Sequence, residues 1–270
     1  MKRAAAAAKI NLALVVGPRR ADGRHELVTV YQRVALADRI SVERSPTLRV
    51  SGFAGDTLVG RALESVADAD GASFAARIQK RIPIAAGLGG GSSDAATALR
   101  LANELRDEPF LDARLHSFAR ELGADVPFFL VDGPQLGTGD GTELAPLELP
   151  QDYWILLVLP RGAKKGSTPE VYAAFDARGG ERSYEERRVG LLDALAGIRR
   201  PRDLAALPPN DLASSPLTDD LRALGAFRAD VTGAGPAVYG LFLHGDQARA
   251  AQKRISPKGR TWLTAPAWYR

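Results

Sequence analysis

Apolar and polar residues alternate through Ile10 to Val16 (INLALVV), the period of a strand half-buried on one face. Ile10, Leu12 and Leu14 are predicted to share one face, Lys9 and Asn11 the other. A polar face of this kind is either a solvent-facing edge or the wall of a site. Further strands are predicted over Leu27 to Leu36, Asp38 to Val42, Phe74 to Ile82 and the buried-type run Trp154 to Leu159. Thr57 to Ala67 has helical spacing, as do Asp94 to Leu105 and Asp112 to Leu122, the last stopped by Gly123. Beyond Pro146 to Gln151 (PLELPQ), helices are predicted over Val171 to Phe175, Tyr184 to Leu195, Leu217 to Leu224 and Asp246 to Ile255. Pro201 to Pro209 reads as loop, and Ala229 to Thr232 and Ala237 to Leu243 as strands. Mixed strands and helices in both halves predict an α+β protein of two sandwiched domains, residues 1–148 and 149–270.

Composition narrows the class. With 45% hydrophobic and 25% charged residues, the chain matches a globular protein large enough to bury a core without covalent staples. It has no cysteine, which excludes disulfides and thiolate metal sites. Met1-Lys2-Arg3 and the run Ala4 to Ala8 resemble the start of a signal peptide, but Lys9 and Asn11 break the apolar run. No stretch approaches the roughly 18 apolar residues of a membrane span. The expectation is a cytoplasmic protein, a monomer or weak homodimer with no membrane partner. The net charge of +4 suits anionic small molecules. The basic residues are scattered, without a stripe interleaved with aromatics, so no nucleic-acid partner is expected.

The densest chemical signal is Pro83-Ile84-Ala85-Ala86-Gly87-Leu88-Gly89-Gly90-Gly91-Ser92-Ser93. Glycine lets backbone amides approach a ligand closely, and the helix predicted behind it adds a dipole favouring phosphate. A nucleotide-binding loop between strand and helix fits better than a flexible linker. It is not a Walker A loop, because Ser92-Ser93 stand where a Lys-Ser or Lys-Thr pair is needed. It is not a dinucleotide fingerprint, whose third glycine would fall on Ser92. Asp125 is bordered by Val126-Pro127-Phe128-Phe129-Leu130. A carboxylate there is either a paired functional group or the N-cap of a short helix opened by Pro127. Gly233-Ala234-Gly235-Pro236 lies between two predicted strands and reads equally as a hairpin turn or a binding loop.

The string PIAAGLGGGSSDAA resembles the ATP-binding motif of the GHMP kinases. Ala8 to Gln32, GADVPFFL, PNDL and TGAGPAVYG extend the likeness in order over most of the chain, toward the 4-diphosphocytidyl-2-C-methyl-D-erythritol kinase family. The resemblance implies a two-domain GHMP kinase fold, with a ribosomal-protein-like N-terminal domain and a ferredoxin-like C-terminal domain. It implies ATP and Mg²⁺ as cofactors and a small cytidyl diphosphate as substrate. The family's catalytic pair falls on Lys9 and Asp125, its ATP motif on Pro83 to Ser93, and its substrate contacts on Asn11, His25, Tyr31 and Thr168. No metal ligand is assigned. Where the family has tyrosine before the histidine, this chain has Arg24, whose guanidinium plane can also stack on a base. Asp56 stands where the family commonly has asparagine. Lys164 and Lys165, beside Thr168, are as compatible with solvated surface charges.

Overall fold

The structure is a computed structural model describing residues 1–56, 58–67, 73–163 and 167–267. Thr57, Lys164 and Lys165, named above, lie outside the described residues. The first half builds a six-stranded sheet from β1 (Lys2–Arg19), β2 (His25–Ser45), β3 (Arg49–Ser51), β4 (Ser73–Gln79), β5 (Gln135–Thr138) and β6 (Glu143–Pro146). β2 is its spine: it pairs with β1 along most of its length, with β4 at its far end and with β5 near its start. The two strands predicted over Leu27 to Leu36 and Asp38 to Val42 are this one strand, unbroken.

The alanine run belongs to β1. Alanine favours helix, but Ala6 and Ala8 are buried, and α2 (Gly90–Asn103) lies against this strand with alanines of its own, Ala95, Ala98 and Ala102. Small side chains on both elements permit close approach, and tertiary packing overrides local preference. α1 (Leu58–Val66) and α3 (Asp112–Leu122) complete the helical layer. α3 buries Leu115, Phe118, Ala119 and Leu122, the face its periodicity predicts.

The second half forms a four-stranded antiparallel sheet ordered β10-β7-β9-β8, from β7 (Trp154–Pro160), β8 (Arg228–Val231), β9 (Val238–Phe242) and β10 (Gly259–Thr264). Two helices, α4 (Thr168–Ala177) and α5 (Tyr184–Gly197), and a 3-10 turn over Pro201–Ala206 connect β7 to the helix α6 (Leu217–Ala223); α7 (Gly245–Ile255) precedes β10. The strand order is that of the ferredoxin-like arrangement. Ile10, Leu12, Ala13 and Val15 of β1 pack with Ile155, Leu157, Tyr239 and Leu241 of the second sheet, so the central core lies between the two sheets.

A β-bulge corrects the predicted faces of β1. The pairing jumps from Asn11 opposite Tyr31 to Ala13 opposite Val30, leaving Leu12 as the extra residue. Ile10 and Leu12 stay in the central core, but Leu14 moves to the side of Lys9 and Asn11, where it packs with Val16, Leu27, Phe175 and Leu212. Arg228 and Tyr239 of the second sheet donate hydrogen bonds to the Leu12 carbonyl, at 2.6 and 3.2 Å. The site-bearing side of β1 is not a solvent-facing edge: Lys9 and Asn11 are each only 3% exposed.

Candidate active site

A cavity of about 690 Å³ opens where β1, the glycine segment, Asp125 and the start of α4 meet. Ten of the eleven residues from Pro83 to Ser93 line it, all but Ser93. Ser93 is buried instead, because α2 begins at Gly90 rather than at Asp94 and turns that hydroxyl away from the opening. Gly90 and Gly91 therefore open the first turn of the helix. Its first internal bond runs from the Ser93 amide to the Gly89 carbonyl at 2.9 Å. Gly89, in the left-handed conformation (φ 68°), is the N-cap and has no side chain to satisfy the amides that follow. Free amides and the helix dipole give this wall the character that suits an anion.

The segment is anchored from both sides. The Lys9 amide donates to the Leu88 carbonyl at 3.0 Å, and the Ala237 amide to the Ala86 carbonyl at 3.1 Å. At Gly87 (φ +80°) a Cβ would lie 2.5 Å from the Thr232 carbonyl oxygen. The Gly233-Ala234-Gly235 turn thus does both things its sequence allows, joining β8 to β9 and packing on the glycine segment. Asn210 of the PNDL motif braces it, donating to the Val231 and Gly233 carbonyls at 2.9 and 2.7 Å.

Lys9 and Asp125 meet across the cavity wall, Nζ to Oδ2 at 3.4 Å. Asp125 is not the N-cap of the 3-10 turn over Pro127–Leu130, a position held by Val126. Its carboxylate is one-third exposed, in the cavity rather than in the apolar surroundings its flanking sequence suggests. The Tyr31 hydroxyl donates to Asp125 Oδ1 at 3.3 Å, and the Tyr31 ring stacks on Phe128. Burial, with Asp125 nearby, holds Tyr31 well above its ordinary pKa, so it is a neutral donor. The buried Lys9 charge is balanced by Asp125 and by Asn11 Oδ1, which accepts its Nζ at 2.7 Å. Asn11 Nδ2 donates to Thr29 Oγ1 at 2.7 Å, and its backbone amide to Thr232 Oγ1 at 3.1 Å. The arrangement can take a proton from a hydroxyl at Asp125 and stabilise the resulting oxyanion with Lys9.

Thr168, the first residue of α4, and Tyr172, one turn on, line the other end of the cavity. His25 does not line it. It stacks on Tyr172 with ring centroids 4.8 Å apart, and its Nε2 lies 2.7 Å from Asp176 Oδ1. That hydrogen bond, with Arg19 also on Asp176, holds the Asp176 carboxyl below its ordinary pKa. The Arg24 guanidinium hydrogen-bonds the Asp140 carboxylate, which lines the cavity, and no aromatic contact of Arg24 occurs among the described residues. Burial pushes the Asp140 pKa up, but hydrogen bonds from Thr142 and Arg24 outweigh it and the net shift is downward. Asp56 caps α1, accepting from the Val59 and Gly60 amides at 3.0 and 3.1 Å. Sequence reasoning missed Tyr172, Asp140, Asp176 and Thr232. One signal was available: Tyr172 and Asp176 follow Thr168 at helical spacing, on one face with it.

Residues 57–133 match the family model described as GHMP kinases N terminal domain, and residues 208–260 that described as GHMP kinases C terminal. The 4-diphosphocytidyl-2-C-methyl-D-erythritol kinase of Desulfitobacterium hafniense is 38% identical over 257 residues, covering 89% of this chain and 87% of its own. This chain belongs to the 4-diphosphocytidyl-2-C-methyl-D-erythritol kinase family. Its relative of the same name from Corynebacterium efficiens is also 38% identical, over 96% of this chain and 90% of its own. A crystal structure of 4-(cytidine 5'-diphospho)-2C-methyl-D-erythritol kinase superposes with a TM-score of 0.80 at 35% identity, covering 98% of this chain and 99% of that one. Mevalonate kinase from L. major shares the fold, with a TM-score of 0.74 at 17% identity over 98% of this chain and 96% of that one. No helix among the described residues is long and apolar enough to cross a membrane.

Proposed function

We infer that the protein transfers the γ-phosphoryl group of ATP to the 2-hydroxyl of 4-diphosphocytidyl-2-C-methyl-D-erythritol, giving the 2-phosphate and ADP, in the non-mevalonate route to isoprenoid precursors. The observation that carries this reading is the clustering of Lys9, Asp125 and Tyr31 on the wall of the cavity that the amide-rich start of α2 also lines. It is supported by membership of a kinase family in which whole-length relatives carry that name.

The triphosphate lies against Gly87 to Ser92, where backbone amides and the helix dipole offset its charge. Asp125 accepts the proton of the attacking hydroxyl, and Lys9, held by Asn11, stabilises the charge that develops on its oxygen. Tyr31 keeps one Asp125 oxygen occupied and orients the other. Positioning and electrostatics supply most of the acceleration in such transfers. Magnesium would accompany the triphosphate and offset part of its charge. The substrate's cytosine lies toward Tyr172, whose ring offers a flat face on the cavity wall with His25 stacked behind it.

The Arg24–Asp140 pair favours a second reading, a GHMP kinase with another acceptor. ADP release measured with the cytidyl substrate and with mevalonate separates the two. Turnover of the cytidyl substrate, lost in Asp125→Asn, is expected. Turnover of mevalonate alone sinks the first reading, and undiminished turnover in the variant sinks the role of Asp125.

A further inference from the structure

The glycine segment has no lysine in its own sequence, unlike a Walker A loop. The fold brings one from elsewhere. Lys80, just after β4, lines the cavity, and a Cβ on Gly90 would lie 3.3 Å from its Nζ. The ammonium therefore sits against the first residue of α2, beside the amides that form the anion site. A larger residue than glycine at 90 would displace it.

Lys80 is held there by two carboxylates. Its Nζ donates to Asp38 Oδ2 at 2.5 Å and to Asp94 Oδ2 at 2.8 Å. Asp38 is wholly buried, and its other oxygen accepts the Arg81 and Ile82 amides. Asp94 is 2% exposed, and among the described residues its Oδ1 has no hydrogen-bond partner. An ammonium has three donors. Among the described residues two of them are taken, and the Lys80 side chain keeps 16% of its surface open. The Phe53 ring, 5.7 Å from Nζ, flanks it on the cavity wall. The cluster thus leaves its lysine on the cavity wall rather than sealed in the core.

We propose that Lys80 is a nucleotide-binding residue that supplies, from the end of β4, the phosphate-directed cation the glycine segment lacks, with Asp38 and Asp94 as the residues that position it. Burial and the neighbouring Asp38 carboxylate push the Asp94 pKa up to about 7, so near neutral pH the two acids do not cancel the lysine twice over. Hydrogen bonding to both carboxylates outweighs burial and keeps the Lys80 pKa above its ordinary value, hence charged. The inference rests on ATP being the phosphoryl donor.

The test is calorimetric or competitive binding of ATP, ADP and adenosine to wild type, Lys80→Met and Lys80→Arg. Lys80→Met leaves two buried carboxylates without their cation, so the double variant Lys80→Met/Asp94→Asn, which relieves that repulsion, is measured beside it. The expected result is a loss of about 10- to 100-fold in ATP affinity in both Met variants, with adenosine within about twofold of wild type and partial rescue by arginine. An equal loss for ATP and adenosine, the mark of a merely structural role, overturns the proposal, as does unchanged ATP affinity. Wild-type protein that binds adenosine and ATP equally overturns it too, and wild type that binds neither removes the kinase reading with it.

Discussion

Lys9 and Asn11 stand two residues apart on one side of β1, and the Asn11 side-chain oxygen takes the Lys9 ammonium at 2.7 Å. Both polar ends of the Asn11 side chain are engaged within the protein, the amide by Thr29. Its first task is thus to aim the lysine, although the family resemblance casts it as a substrate contact. Asn11→Ala is expected to lower kcat by about 10- to 100-fold while the KM for ATP changes little, because a catalytic cation that loses its guide is misplaced rather than removed. Steady-state kinetics with each substrate varied checks this. An effect confined to KM for the acceptor returns Asn11 to the role of a substrate contact.

Asp176 reaches the cavity only through His25 and, behind it, Tyr172. Asp176→Ala is expected to raise the KM for the cytidyl substrate by about 5- to 20-fold through the loss of one charge-assisted hydrogen bond. The KM for ATP should stay near the wild-type value. A shift in both constants would show that the helix, rather than the histidine, depends on the carboxylate.

Gly87 combines a positive φ with a carbonyl oxygen where its Cβ would be. Gly87→Ala is expected to destabilise the fold by about 1–3 kcal/mol and to weaken ATP binding, since the strain displaces the segment that carries the amides. Gly91→Ala is the control: its Cβ would meet a side chain at 3.7 Å, ordinary contact. Urea midpoints for the two variants should differ accordingly.

Asp94 gives the pH dependence a definite sign. Its folded pKa of about 7 lies above the ordinary carboxylate value, so the folded chain holds a proton that the unfolded chain releases. This group's contribution to stability is complete at low pH, falls as pH rises from about 4 to about 7, and is flat beyond. Asp94→Asn lacks that loss. Its stability relative to wild type is expected to improve between about pH 4 and about pH 7 and to level off above that in urea titrations, and a constant difference would contradict the shift.

Helices with one strong apolar face were legible in the sequence, α3 almost to the residue. Elements set by long-range pairing were not. β3, β5 and β6 are three or four residues long and hold their shape through β4 and β2, so no local period marks them. The alanines of β1 carry a helical preference, reversed by a neighbour some ninety residues away. For the site, the glycine segment and the flanks of Asp125 were visible as local composition. The partners that orient it, Thr29, Thr232, Asp176 and Lys80, are ordinary residues in sequence and become a site only when separate strands converge.

The extra residue at Leu12 makes β1 a strand of two phases. Just before it Lys9 and Asn11 look into the cavity; just after it Leu14 does. Insertions or deletions among the exposed residues Met1 to Arg3 would leave the machinery in place. Removing the single residue Leu12 would restore a regular alternation with its neighbours on their present sides, but would take away the carbonyl that accepts the Arg228 and Tyr239 hydrogen bonds. What holds this position is therefore a main-chain carbonyl more than a side chain, and a leucine-to-valine change there is a far milder event than a one-codon loss.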